Sequence, residues 1–171
     1  MMKKTYLLVD GYNIIFAWNE LKEISEKSLD EARDRLVHIL SNYQGVKKYE
    51  IIVVFDAYKI AGGLGSVEKR DNITVVFTRE AETADNYIES TVGKLKKDSN
   101  VLVATSDNLE QVIIMSKGAV RLSASELLLD VNKVNKKIAE KIKYGRPVKD
   151  NLLFDNLDEK TRAIFEKMRR E

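Results

Sequence analysis

The chain has no cysteine. Disulfides, thiol nucleophiles and zinc–thiolate sites are therefore excluded, and a cytoplasmic location is expected. Histidine occurs once, at His38, inside a helical pattern with no nucleophile and acid placed around it, so a structural role is expected there. Proline occurs once, at Pro147. Long apolar runs are missing as well. The opening Met-Met-Lys-Lys-Thr-Tyr-Leu-Leu-Val-Asp has a basic start, but Asp10 ends its apolar stretch too early for a signal peptide. No stretch is long enough to span a bilayer, so no membrane partner is expected. Glycines cluster at Gly62, Gly63 and Gly65 instead of following the first strand, which argues against a dinucleotide-binding fold.

What is present suits one globular domain. The 171 residues are 44% hydrophobic and 33% charged, enough chain for a real core and too apolar for disorder. Apolar runs at Thr5–Val9, Ile51–Phe55, Ile73–Thr78, Val101–Ala104 and Val120–Leu122 read as buried strands. Helical periodicity separates them. Ile14, Ile15, Trp18, Leu21 and Ile24 form one stripe. Leu29, Ala32, Leu36, Ile39 and Leu40 form the next, opened by the Ser28/Glu31 capping box and closed near Gly45. Thr83 caps a helix to about Lys97. Ser106 is an N-cap candidate for a helix ending at Gly118. Ser123 and Glu126 start a long helix to about Lys143, and Asn156 and Glu159 open a last one. Residues 57–71 read as a mobile loop. Five strands alternating with helices predict an α/β domain with a mainly parallel central sheet covered on both faces. The whole chain, 1–171, is expected to be one domain with a basic helical C-terminal portion from about residue 124.

The acids fall in a telling pattern. Asp10 follows the first strand, Asp56 the second and Asp107 the fourth, while Asp85 lies in the first turn of the helix after the third. In a parallel sheet those positions share the carboxyl edge, where ligands bind. Crowded carboxylates repel, and a divalent cation removes the conflict. Oxygen-only ligands point to magnesium or manganese, and such a centre suits phosphodiester hydrolysis. Asn13 is placed to orient a carboxylate or phosphate beside Asp10, with Gly11 allowing a sharp turn between them. Glu82 and Glu89 bracket Asp85 at helical spacing, and Glu82 is a candidate supporting residue. Tyr12 is a candidate for stacking on a base, with core packing the alternative. Lys59, Lys69, Arg70 and Arg79 flank the glycine-rich stretch and are candidate phosphate contacts. Lys133, Lys136, Lys137, Lys141, Lys143, Arg146 and Lys149 face only Glu140, giving that segment a net charge of +6 in a chain of net +2. A basic stripe on a protein with an acidic pocket fits nucleic acid.

Three segments carry a family resemblance: Asp-Gly-Tyr-Asn from Asp10, Glu-Thr-Ala-Asp-Asn-Tyr-Ile-Glu over 82–89, and Ala-Thr-Ser-Asp-Asn-Leu-Glu-Gln over 104–111. In order and spacing they resemble the YacP-like branch of the NYN nucleases, relatives of the PIN domain. The resemblance implies a PIN-like three-layer fold and divalent-metal-dependent endonucleolytic cleavage of RNA. It implies that Asp10, Asp85 and Asp107 are the acidic site residues, assisted by Asn13 and Ser106. Bacterial members of this branch include a ribosome-associated enzyme that cuts mRNA, so mRNA and the ribosome are the partners implied, and the basic segment is a candidate contact for them. Two other folds place an Asp after the first strand. A phosphoacceptor receiver domain has an adjacent acid pair there, and a haloacid-type phosphatase has a second Asp where Tyr12 stands. A non-catalytic RNA- or ribosome-binding protein on the same fold is the rival from another class.

Overall fold

A computed structural model describes residues 2–57 and 64–144. The element order is β1 (Lys4–Asp10), α1 (Gly11–Ala17), α2 (Asn19–Lys27), α3 (Leu29–Lys47), β2 (Glu50–Phe55), β3 (Leu64–Arg70), β4 (Ile73–Arg79), α4 (Ala84–Leu95), β5 (Ser99–Ala104), α5 (Asn108–Ser116), β6 (Val120–Leu122) and α6 (Ala124–Tyr144). The chain divides into two compact units, Met1–Val134 and Asn135–Glu171. Of the second, residues 135–144 are described, as the end of α6. The expected helix from Asn156 lies outside the described residues.

Six strands form one sheet in the order β3-β4-β2-β1-β5-β6. All neighbours are parallel except β3 and β4. The middle of β1, Tyr6 to Val9, is apolar because helices cover both faces of the sheet. Side chains alternate across the sheet. Leu8, Val54 and Val76 join Ile88 and Val92 of α4 and Ile114 of α5 in one core. On the other face Phe55 meets Tyr12 of α1, ring centroids 5.1 Å apart. From β1 the chain first adds β2 and β4 to one side, then β5 and β6 to the other. The carboxyl ends of β1 and β5 therefore flank a topological switch point, where a crevice opens above the sheet.

Three local expectations change. The stretch read as a loop contains β3 over 64–70, hairpinned to β4 through Asp71 and Asn72, with Asp71 at φ 53°. An edge strand facing water carries few apolar residues, so its Leu-Gly-Ser-Val-Glu-Lys-Arg has no clear alternation. The first helical stripe is two helices, broken at Trp18, whose extended backbone turns its indole N–H to the Ala124 carbonyl at 2.8 Å. The second helix runs past Gly45 and ends at Lys48, in the left-handed region at φ 61°. The Ser28 and Ser123 caps form as expected. In the latter, Ser123 and Glu126 exchange side-chain bonds with each other's N–H. Among the described residues no helix is long and apolar enough to cross a membrane.

Gly11 owes its place to packing rather than to a left-handed turn. It is the first residue of α1, and a Cβ there would stand closer to Cε1 and Cδ1 of Phe55 than real contacts allow. That ring cannot swing away, being fully buried between Tyr12 and Phe77. Gly11→Ala is therefore expected to destabilise the protein by about 1–3 kcal/mol. Urea unfolding checks this; an unchanged midpoint would refute the packing role.

Candidate metal centre

Asp10 ends β1 and caps α1. Its carboxylate accepts from the Asn13 side-chain amide at 3.0 Å, and the Asn13 backbone N–H lies at 3.5 Å. Asn13 in turn accepts from the Ser106 hydroxyl, which lies just past β5. Asp10, Asn13 and Ser106 thus link the ends of β1 and β5. Ser106 does not cap α5 as expected. Asp107 takes that place, its carboxylate accepting from the N–H groups of Leu109 and Glu110 at 2.9 and 3.3 Å.

Three carboxylates converge: one oxygen each of Asp10, Asp85 and Glu110 lies within 4.8 Å of the others. Asp10 and Glu110 are each 5% exposed, whereas Asp85, in the first turn of α4, faces solvent. Glu110 accepts from the buried Thr105 hydroxyl at 2.7 Å through one oxygen. Its other oxygen, Oε1, is buried without a hydrogen-bond partner. The Thr105 hydroxyl also accepts from the Asp107 N–H at 3.1 Å. Gln111 ties back to the Thr105 carbonyl at 2.8 Å. These bonds hold the first turn of α5 so that Glu110 points inward.

The electrostatics reflect burial first and crowding second. Burial, opposed by the Asn13 bonds and aided by the charge of Asp85, pushes the Asp10 carboxyl up to about 6. Burial, opposed by Thr105 and aided by Asp10 and Asp85, pushes Glu110 up to about 9. Among the described residues no ion pair engages this trio. The donor set is hard oxygen, and one buried acceptor has no donor. Both features fit a small divalent cation.

The remaining sequence candidates take separate places. Asp56 follows β2 and faces the same cleft as Asp10 and Asp85, its carboxylate 3.4 Å from the Ala84 N–H. Asp107 lines a smaller hollow with Asp85, Glu89 and Glu110 but is not one of the converging three. Glu82 lies half-buried in a groove beside β3, β4 and Tyr87, outside the trio. Glu89 pairs with Lys117 at 2.8 Å. Arg70 is paired with Asp34 and Glu68, while Lys69 and Arg79 are exposed. Lys133, Lys136, Lys137, Lys141 and Lys143 are exposed along α6. Arg146, Lys149 and Lys59 lie outside the described residues. His38 is exposed on α3. Tyr12 is 5% exposed and packs in the core against Phe55. Sequence reasoning missed Glu110. Three residues after the cap Asp107, it sits where a routine capping-box acid would, and only its burial sets it apart.

An acidic cluster at the switch point of a mostly parallel sheet, with helices on both faces, defines a PIN-like nuclease-type fold. The comparisons with known proteins are more specific. The family model for the YacP-like NYN domain matches residues 7–170, and the chain belongs to that family. It is 41% identical over 138 residues to YacP of Bacillus subtilis, a protein described as uncharacterized, covering 80% of this chain and 81% of the relative. Two crystal structures of Rae1 (YacP) from Bacillus subtilis share the fold. One, a point variant, has a TM-score of 0.74 at 34% identity over 96% of this chain and 99% of that one. The other has a TM-score of 0.68 at 37% identity over 96% and 94%.

Both pKa shifts are upward for acids, so without metal the folded protein holds protons that the unfolded chain releases. That contribution is full below the ordinary carboxyl range. It is lost as pH rises, up to about 6 for Asp10 and about 9 for Glu110. In EDTA, Tm is expected to fall between pH 5 and pH 9, with Glu110→Gln flattening the part above about 6. Thermal melts at constant ionic strength check this. A wild-type Tm that does not change over that interval would show that Asp10 and Glu110 are not held as buried, crowded carboxyls.

Proposed function

We propose that this protein is a divalent-metal-dependent endoribonuclease, acting on mRNA in association with the ribosome. The convergence of Asp10, Asp85 and Glu110 in one crevice carries the hydrolytic part of the reading. Membership of a nuclease-type family supports it. RNA fits the basic stripe on α6, and the ribosome follows from the family resemblance alone.

Asp10, Asp85 and Glu110 would hold the cation, magnesium or manganese. A bound cation would supply Lewis acidity toward phosphate oxygens and would lower the pKa of a water molecule. The protein's own groups set the geometry. Asn13 fixes the Asp10 carboxylate from one side, and Ser106 fixes Asn13. Thr105 fixes one oxygen of Glu110 and leaves the other free to ligate. Asp107, its carboxylate engaged by two N–H groups, holds α5 in register and so aims Glu110. Asp56 is a further acid on the rim of the cleft.

Asp10→Asn, Asp85→Asn and Glu110→Gln are each expected to lower magnesium-dependent RNA cleavage by at least about 100-fold, since loss even of outer groups around a metal costs about 10–100-fold. EDTA should abolish cleavage by the wild type. Asp107→Asn preserves a good cap and should stay within a few-fold of wild type; a loss as deep as that of Asp10→Asn would make Asp107 a ligand after all. Gel assays on folded variants, checked by circular dichroism, read this out. Unchanged cleavage in both Asp10→Asn and Asp85→Asn would overturn the site.

The basic stripe has its own test. Converting Lys136, Lys137 and Lys141 to Glu should weaken RNA or ribosome binding and reduce its dependence on salt. Sedimentation with ribosomes and filter binding at several salt concentrations measure both. Equal affinity with an equal salt slope would place the contact elsewhere.

A further inference from the structure

We infer that the groove holding Glu82 is a guanine-selective subsite for an RNA strand whose phosphate lies at the acids, an inference that rests on the ribonuclease reading and names its base preference. The groove encloses about 410 Å³ and is lined by Gly65, Val67, Thr78, Arg79, Glu82 and Tyr87, among others. It adjoins the acidic cleft through the turn from β4 into α4. Glu82 lines the groove, and the next three residues, Thr83, Ala84 and Asp85, line the cleft. A second link runs across the sheet. Thr78, in the groove, accepts at 3.0 Å from the N–H of Ala57, the residue after Asp56 of the cleft.

The polar groups of the groove suit a base and not a phosphate. Glu82 is half-buried, and among the described residues it forms no ion pair and its carboxylate accepts no hydrogen bond. Such a group repels phosphate and offers acceptor sites to N–H donors. Tyr87 is half-buried too, packed against the core of Leu8, Val54 and Val76, and among the described residues no other ring stacks on it. Arg79 ends β4 and is exposed. A Cβ on Gly65 would stand 2.9 Å from its Cγ, so the glycine makes room for the arginine stem.

Guanine is the base that this set selects. Its Watson–Crick edge carries two adjacent donors, N1–H and the N2 amino group, and one carboxylate accepts both in a charge-assisted pair. Adenine and cytosine place an acceptor beside their amino group, and uracil flanks its N–H with carbonyls, so each meets the carboxylate with one repulsive contact. On the other edge of guanine, O6 and N7 are the acceptors that arginine reads. Tyr87 adds an aromatic ring for the flat face of the base. The edge read by Glu82 is the one used in base pairing, so the guanine has to be unpaired.

The experiment uses single-stranded oligouridylates carrying one guanine, or one inosine, at each position in turn. Inosine differs only in lacking the N2 amino group. Fluorescence anisotropy reads binding with calcium in place of magnesium, and magnesium is restored for cleavage. Wild type should bind and cut best with guanine at one fixed offset from the cut. Inosine there should lower affinity and kcat/KM roughly 5- to 150-fold, the range for one bidentate base contact. Glu82→Gln should erase most of that difference while binding the all-uridine strand as wild type does, and a melt confirms that it folds. A guanine-to-inosine ratio in Glu82→Gln equal to that of wild type would overturn the subsite. So would a wild type that binds guanine, inosine and uridine strands equally; if it still cleaves in magnesium, the nuclease reading stands. Guanine-selective binding without any cleavage in magnesium would keep the subsite and sink the nuclease reading.

Discussion

The close approach of three carboxylates above the ends of β1 and β5 is the constraint on which the rest of the site depends. Negative charges within 4.8 Å of one another, two of them buried, are unfavourable unless protons or a cation intervene. The protein therefore has to hold them together against their own repulsion. It does so with neutral hydrogen-bond donors. Asn13 holds Asp10, and Thr105 holds Glu110. Neither donor neutralises charge, so the repulsion among the acids is left for protons or a cation to relieve.

The supports are short-range and redundant. Asp107, Thr105 and Gln111 together fix the first turn of α5, the helix that carries Glu110. Asp10 is fixed twice, as the end of a central strand and as the cap of α1. The same short helix then presents Phe16 to the cleft, so acid and aromatic wall share one rigid mount. Gly11 permits this. Without a side chain there, α1 settles against Phe55, and Tyr12 and Phe16 are drawn into line with the core rings.

Much of the fold is legible in the chain because burial on both sides of a parallel sheet demands apolar runs, and helices between them demand periodicity. The strand over 64–70 is not legible because an edge strand need bury only part of one face. The break at Trp18 is hidden for a different reason. The apolar stripe continues through it, and only the hydrogen bond to Ala124, 106 positions away, shows where the chain turns. Among site residues, Asp10, Asn13, Asp85 and Ser106 do meet around one cleft, as their places after strands imply.

Sequence by itself determined the α/β class, the family and the edge of the sheet at which the acids gather. Strand ends are written in local pattern, and parallel pairing puts those ends together whatever the details. Only the tertiary structure decided which carboxylates meet. Asp107 and Glu110 stand three residues apart in one helical turn and look alike as acids near a helix start. Packing of α5 against the sheet turns one to its own backbone and the other to Asp10 and Asp85. That choice depends on side-chain direction and burial, which arise only when distant segments pack.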